Sequence, residues 1–148
     1  MATRVAAVMA GLWAGALLCI AAIAAPSAFA TLSAGDAGRV VARVFMQEAY
    51  LSLGAAIVLF VIERRRARHA AQAGIGSAFS ANLVLLLGTL FCTVAGYFAL
   101  QPMMEAARSG QGRVSFMALH AVSLGLFVLK GLLVLALAWR LSSVARTS

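Results

Sequence analysis

The side chains that could do chemistry are few, and the informative ones sit inside long apolar runs. Lys130 lies about sixteen residues, or roughly 24 Å, into the last of these runs, and His120 about six residues into it. Ionisable groups at such depth are costly, so each is a candidate site by default. Phe116, His120, Ser123, Phe127 and Lys130 recur at steps of three and four, which puts them on one helix face turned inward. A histidine there can titrate near neutrality, donate across helices, bind a metal or simply pack. Lys130 can snorkel to the headgroups on its long stem, form a buried ion pair, or take a proton-coupled role. Arg39, Arg43, Gln47 and Tyr50 form a second stripe, with Glu48 one position round the helix. An Arg43–Glu48 or His120–Glu48 pair near the outer boundary would lower the cost of each member. Thr89, Thr93, Gly96, Tyr97 and Gln101 form a third stripe, whose hydroxyls can also bond their own helix. Glu48, Tyr97, Gln101 and His120 are therefore expected to line a polar pocket under the outer surface.

Other chemistry finds no support. Cys19 and Cys92 both lie within apolar runs, and no C-x-x-C, G-x-S-x-G, Walker or dinucleotide motif occurs. A soft-metal set of Cys19, Cys92, His120 and Met117, with Met103 and Met104 at the outer mouth, competes with the ordinary use of Cys and Met as apolar filler. Bis-histidine haem needs two intramembrane histidines, and His69 lies in a basic stretch. The expectation is no metal, no cofactor and no enzyme.

The positioning elements follow from composition. Of 148 residues, 64% are apolar and 11% charged, against about 25% charged in a soluble domain. The mean hydropathy is +0.99. A soluble enzyme, a disordered chain and a disulfide-stapled module are excluded. Four runs, residues 5–25, 39–62, 81–100 and 114–139, are long enough to cross a bilayer. Backbone groups in hydrocarbon must be satisfied within the segment, so the chain is expected to be an all-α bundle of four transmembrane helices forming one domain over 1–148. Pro26 and Pro102 are expected to end the first and third spans. The second span is expected to begin as an amphipathic interfacial helix after a turn at Gly35, Asp36 and Gly38.

Twelve Lys and Arg against four Asp and Glu give a net charge of +8. Arg64, Arg65, Arg66 and Arg68 cluster in an expected loop over 63–77. With Arg4, Arg140 and Arg146 they outnumber Arg39, Arg43, Arg108 and Arg113 on the other side, which predicts cytoplasmic termini. The basic residues thus read as topology signals and anionic-lipid contacts, with no nucleic acid implied. The string Ala28-Phe29-Ala30 after Arg4 and an apolar run also fits a signal-peptide cleavage site, but a run of about 21 residues exceeds a signal core, and retention is expected. Gly11 and Gly15, with Cys19 further along, allow close helix contact within the bundle or between protomers. Trp13 beside them reads as packing, and Trp139 as an interfacial belt residue.

Several strings together resemble one bacterial family: Gly11-Leu12-Trp13-Ala14-Gly15, Ala25-Pro26, Phe29, Ala37-Gly38, Val44-Phe45, Glu48-Ala49-Tyr50, Gln101-Pro102-Met103-Met104, Phe116 and Leu119-His120-Ala121-Val122-Ser123. They are similar to the transmembrane protein 205-like family, domain of unknown function 4149. The resemblance implies a small four-helix inner-membrane protein with no established activity. It departs at the last helix, where Ala121 replaces a glycine and Gly125-Leu126 stand where members carry an amide.

Two functional expectations follow. The first is a structural or accessory protein that assembles with itself or with a larger complex in the bacterial inner membrane. The second is a transporter or channel for a small solute or ion, using the His120–Lys130 face with Glu48. Either way, reporter fusions after Ile75 and after Gly110 should signal opposite compartments, the first cytoplasmic. The same compartment for both would sink the four-span reading.

Overall fold

A computed structural model describes residues 2–74, 77 and 79–146. Among them the fold is entirely helical, with α1 (Ala2–Cys19), α2 (Ala25–Thr31), α3 (Ala34–Gln72), α4 (Ala81–Thr93), α5 (Leu100–Arg108) and α6 (Phe116–Arg146). Wide π-turns, Ile20–Ala24 and Val94–Ala99, join α1 to α2 and α4 to α5. Four continuous helices result, each long and apolar enough to cross a membrane, so the chain is a multi-pass membrane protein.

Neither proline ends its helix. A proline ring clashes with the carbonyl four residues back, which is Ala22 for Pro26 and Phe98 for Pro102. Both positions fall inside the π-turns, where the wider ring of backbone makes room for the clash. In hydrocarbon a helix cannot simply stop without leaving polar backbone groups unsatisfied, so it widens and continues.

The arginine cluster likewise lies on a helix and not in a loop. Ser33 accepts the Asp36 N–H at 3.3 Å to start α3, and the exposed Asp36 pairs with Arg39. No glycine or proline interrupts the chain between Gly54 and Gly74, and Glu, Arg and Ala favour helix. α3 ends where Gly74 takes a φ of 73°, a left-handed conformation that glycine adopts freely. Its 39 residues span about 58 Å, roughly twice the hydrocarbon thickness.

Around the bundle, α1 packs on α6, α6 on α4, α4 on α3 and α3 on α1, which leaves α3 and α6 on a diagonal. Ala6, Ala10 and Ala14 recur one turn apart and let α1 approach closely. Beside them Trp13, Leu17, Leu59, Leu86, Val134, Leu137 and Leu141 fill a dry core in the half nearer the arginine cluster. The opposite half is looser. There α2 packs on α3 and α5 on α6, and the two hairpins stand apart.

Gly96 marks a tight contact, since an added Cβ would lie 3.2 Å from Leu126 Cβ. Gly11 and Gly15 are exposed with nothing within 4 Å of such an atom, so their face points out of the bundle. Gly96→Leu should therefore destabilise the monomer by about 1–3 kcal/mol, while Gly11→Ala and Gly15→Ala destabilise nothing. Denaturant unfolding in detergent micelles would measure both, and an equal loss at Gly11 would contradict the outward face.

Candidate functional site

Two buried ionisable groups within the spanning helices meet across the bundle diagonal. Lys130 Nζ on α6 donates to Glu48 Oε1 at 2.7 Å and to Oε2 at 2.8 Å on α3. Glu48 is 5% exposed and Lys130 4%. Ser52, one turn beyond Glu48, donates its hydroxyl to Oε1, and Trp13 Nε1 on α1 donates to Ser52 Oγ at 2.8 Å. Lys130 Nζ also lies 5.1 Å from the Phe127 ring centroid. Three helices thus share one buried polar chain, and each charge is compensated where it lies.

This arrangement corrects several expectations. Lys130 does not snorkel, because its counter-ion sits level with it on the diagonal helix. Glu48 pairs with neither Arg43 nor His120. Arg43 lies about 140° round α3 from Glu48, is exposed and joins no ion pair among the described residues. His120 is ten residues, or about 15 Å, along α6 from Lys130 and stacks on Phe116, with centroids 5.7 Å apart.

Above the ion pair, between the hairpins α2–α3 and α5–α6, lies a cavity of about 230 Å³. Glu48 and Lys130 reach its inner end, and Tyr97, Gln101, Ser123 and His120 line its walls. Arg43 stays outside. The expected inward face of α6 is graded: Lys130 is buried, Phe116, Ser123 and Phe127 are half-buried, and His120 is exposed at the cavity edge. Ser123 donates to the Gly96 carbonyl at 3.0 Å, taking an oxygen in the π-turn as partner. Thr89 and Thr93 bond carbonyls of their own helix, Leu86 at 2.7 Å and Thr89 at 2.9 Å. Arg108 caps Phe116 at 4.5 Å from the ring centroid, near the mouth.

Of the wall residues, Phe127 and Met104 are named by the sequence reading, the first on the inward face of α6 and the second at the outer mouth, whereas Phe45 is not marked as part of a site. Phe45 and Phe127 meet edge to face at 5.0 Å across the same diagonal as the ion pair, three residues ahead of Glu48 and Lys130 respectively. That shared offset of three was the available signal. Cys92 lines the cavity, but Cys19 is exposed on α1, and Met117 is exposed outside the cavity, so the soft-metal set is not brought together. Among the described residues no three His, Cys, Asp or Glu side chains converge on a metal position.

A second polar cluster closes the other end. Buried Glu63 accepts from Arg66 at 2.5 Å and from Asn82 Nδ2 at 2.9 Å, and Asn82 Oδ1 accepts from Arg140 Nε at 2.9 Å. It ties α3, α4 and α6 together. Arg64, Arg65 and Arg68 remain exposed. The signal was a lone Asn at the start of an otherwise apolar run.

Removing one member of the central pair leaves an uncompensated buried charge. Glu48→Met or Lys130→Met alone should lower stability by about 3–5 kcal/mol, whereas the double variant recovers most of it. Thermal unfolding in detergent would read the difference, and additive losses in the double variant would show that the pair is not coupled.

No curated protein and no solved structure matches the chain. One family model does, described as Domain of unknown function (DUF4149), over residues 8–113. The matched stretch covers most of the first three membrane helices, including Glu48, and stops short of α6. Since it spans well over half of the sequence, the chain belongs to the DUF4149 family.

Proposed function

We propose that the protein is a four-span protein of a bacterial inner membrane, with cytoplasmic termini, that receives a small solute in the cavity ending at Glu48 and Lys130. The observation that carries this reading is a cavity of about 230 Å³ whose inner end is a buried ion pair. Sites of this kind combine apolar walls with a few convergent polar groups. Beyond the pair the bundle is a dry core, so the site is open on one side only, as suits a binding protein or one state of a carrier more than an open pore. The orientation rests on seven basic residues at the arginine-cluster end against four at the other, and the exposed Arg64, Arg65 and Arg68 favour anionic headgroups.

A second reading is an accessory protein of a membrane assembly. It is favoured by the outward-facing Gly11 and Gly15 on α1 and Gly54 on α3, where another helix could approach closely.

A thermal-shift screen of small metabolites and lipids in nanodiscs tests the first reading. A true ligand at a hundredfold excess over its Kd should stabilise the wild type by about 2.7 kcal/mol, with the gain lost in Ser123→Phe, which fills the cavity. No stabilising compound, together with a stoichiometric partner on affinity purification from native membranes, would favour the accessory reading instead.

A further inference from the structure

The cavity is a cleft between two helical hairpins, and its shape says from where it is filled. α1 packs along α6 more extensively than any other pair, yet its continuation α2 packs on α3 instead. The change follows the π-turn Ile20–Ala24 and Pro26. On the opposite side α4 packs on both α3 and α6, while its continuation past the second π-turn keeps to α6. Two lateral seams therefore flank the cleft, one between α2 and α6 and one between α3 and α5. Phe29 and Leu124, both more than half exposed, line the cleft at the first seam. From Gly38 to Glu48 the cleft runs about 15 Å along α3, so the seams are long enough to admit a small flat molecule from the side.

The inner end carries an unspent donor. An ammonium has three N–H groups, and those of Lys130 go to Glu48 at only two positions. Tetrahedral geometry turns the third away from the carboxylate, and Lys130 lines the cleft. No described residue accepts it. Glu48 offers less, since it already accepts from Lys130 twice and from Ser52. The cleft bottom thus asks for a hydrogen-bond acceptor, while Phe127 and Phe45 offer ring faces and edges beside it.

We propose that the cleft takes a neutral, flat, lipid-soluble molecule bearing a carbonyl, which enters sideways through the seams and seats its carbonyl oxygen on the third N–H of Lys130. The proposal rests on the binding reading above and narrows it to one class of ligand. A charged ligand is disfavoured because the central pair is already neutral as a unit and a further charge at this depth would lack a partner.

Benzophenone, a neutral diaryl ketone that crosslinks on irradiation, serves as the probe. With the full chain in lipid nanodiscs, adducts mapped by peptide mass spectrometry should fall on the cleft walls around Phe45, Met104 and Phe127. Fluorenone should suppress them at about a tenth of the concentration needed for fluorene, which has the same shape without the carbonyl. In the Glu48→Met/Lys130→Met double variant cleft labelling should persist and that tenfold preference should fall to about one. Charged 4-benzoylbenzoate, which stays in water, should label the cleft at least tenfold less than benzophenone. Equal competition by fluorene and fluorenone in the wild type overturns the carbonyl contact while leaving cleft binding intact. Equal labelling by 4-benzoylbenzoate overturns the lateral route. Labelling confined to lipid-facing residues outside the cleft overturns both this proposal and the binding reading beneath it.

Discussion

A charge held near the middle of a bilayer has only a few ways to exist, and the fold is organised around one of them. Glu48 and Lys130 neutralise each other across the bundle diagonal, where the Phe45–Phe127 ring contact also joins α3 to α6. Because both oxygens are engaged, the pair fixes the depth and the rotation of each helix relative to the other. Ser52 and Trp13 extend that constraint to α1. Apolar packing alone discriminates weakly in a membrane, where lipid tails are as apolar as leucine, so a polar chain of this kind specifies an arrangement that leucines alone would leave loose.

The two prolines shape the other half of the molecule. Each is preceded by a π-turn, and past each the helix keeps one neighbour and leaves the other: α1 packs on α6 and α3 but α2 on α3, and α4 packs on α3 and α6 but α5 on α6. The four-helix bundle of the half nearer the arginine cluster becomes two hairpins in the other half. The cleft is the space between them, and its inner end is where the bundle closes again. At the far end Glu63, Asn82 and Arg140 tie three helices together, so the opening is confined to one side.

The legible parts of the sequence were those that depend on one helix at a time. Runs of apolar residues marked four spans, and steps of three and four placed His120, Ser123 and Lys130 on one face. Tyr97, Gln101, His120 and Glu48 were singled out by polarity at depth, and all four border the same cavity. Which cation meets Glu48 was not legible, because periodicity fixes directions within a helix and says nothing about how two helices are rotated against each other. Arg43 was the sequence neighbour, but it points elsewhere. Pro26 and Pro102 misled for a different reason. In water a proline ends a helix cheaply, since the freed groups bind solvent, whereas lipid withholds that option. The arginine run reads as a loop by its charge, yet its residues are strong helix formers with no breaker among them.

The partners in the central pair stand 82 positions apart along the chain. During synthesis α3 therefore reaches the membrane well before α6 has been made, at about 5–20 residues per second a delay of several seconds. Through that interval Glu48 lacks the partner that compensates its charge in the finished fold. Arrival of the last helix then does more than add a rod: it brings the missing ammonium and commits the earlier helices to their places.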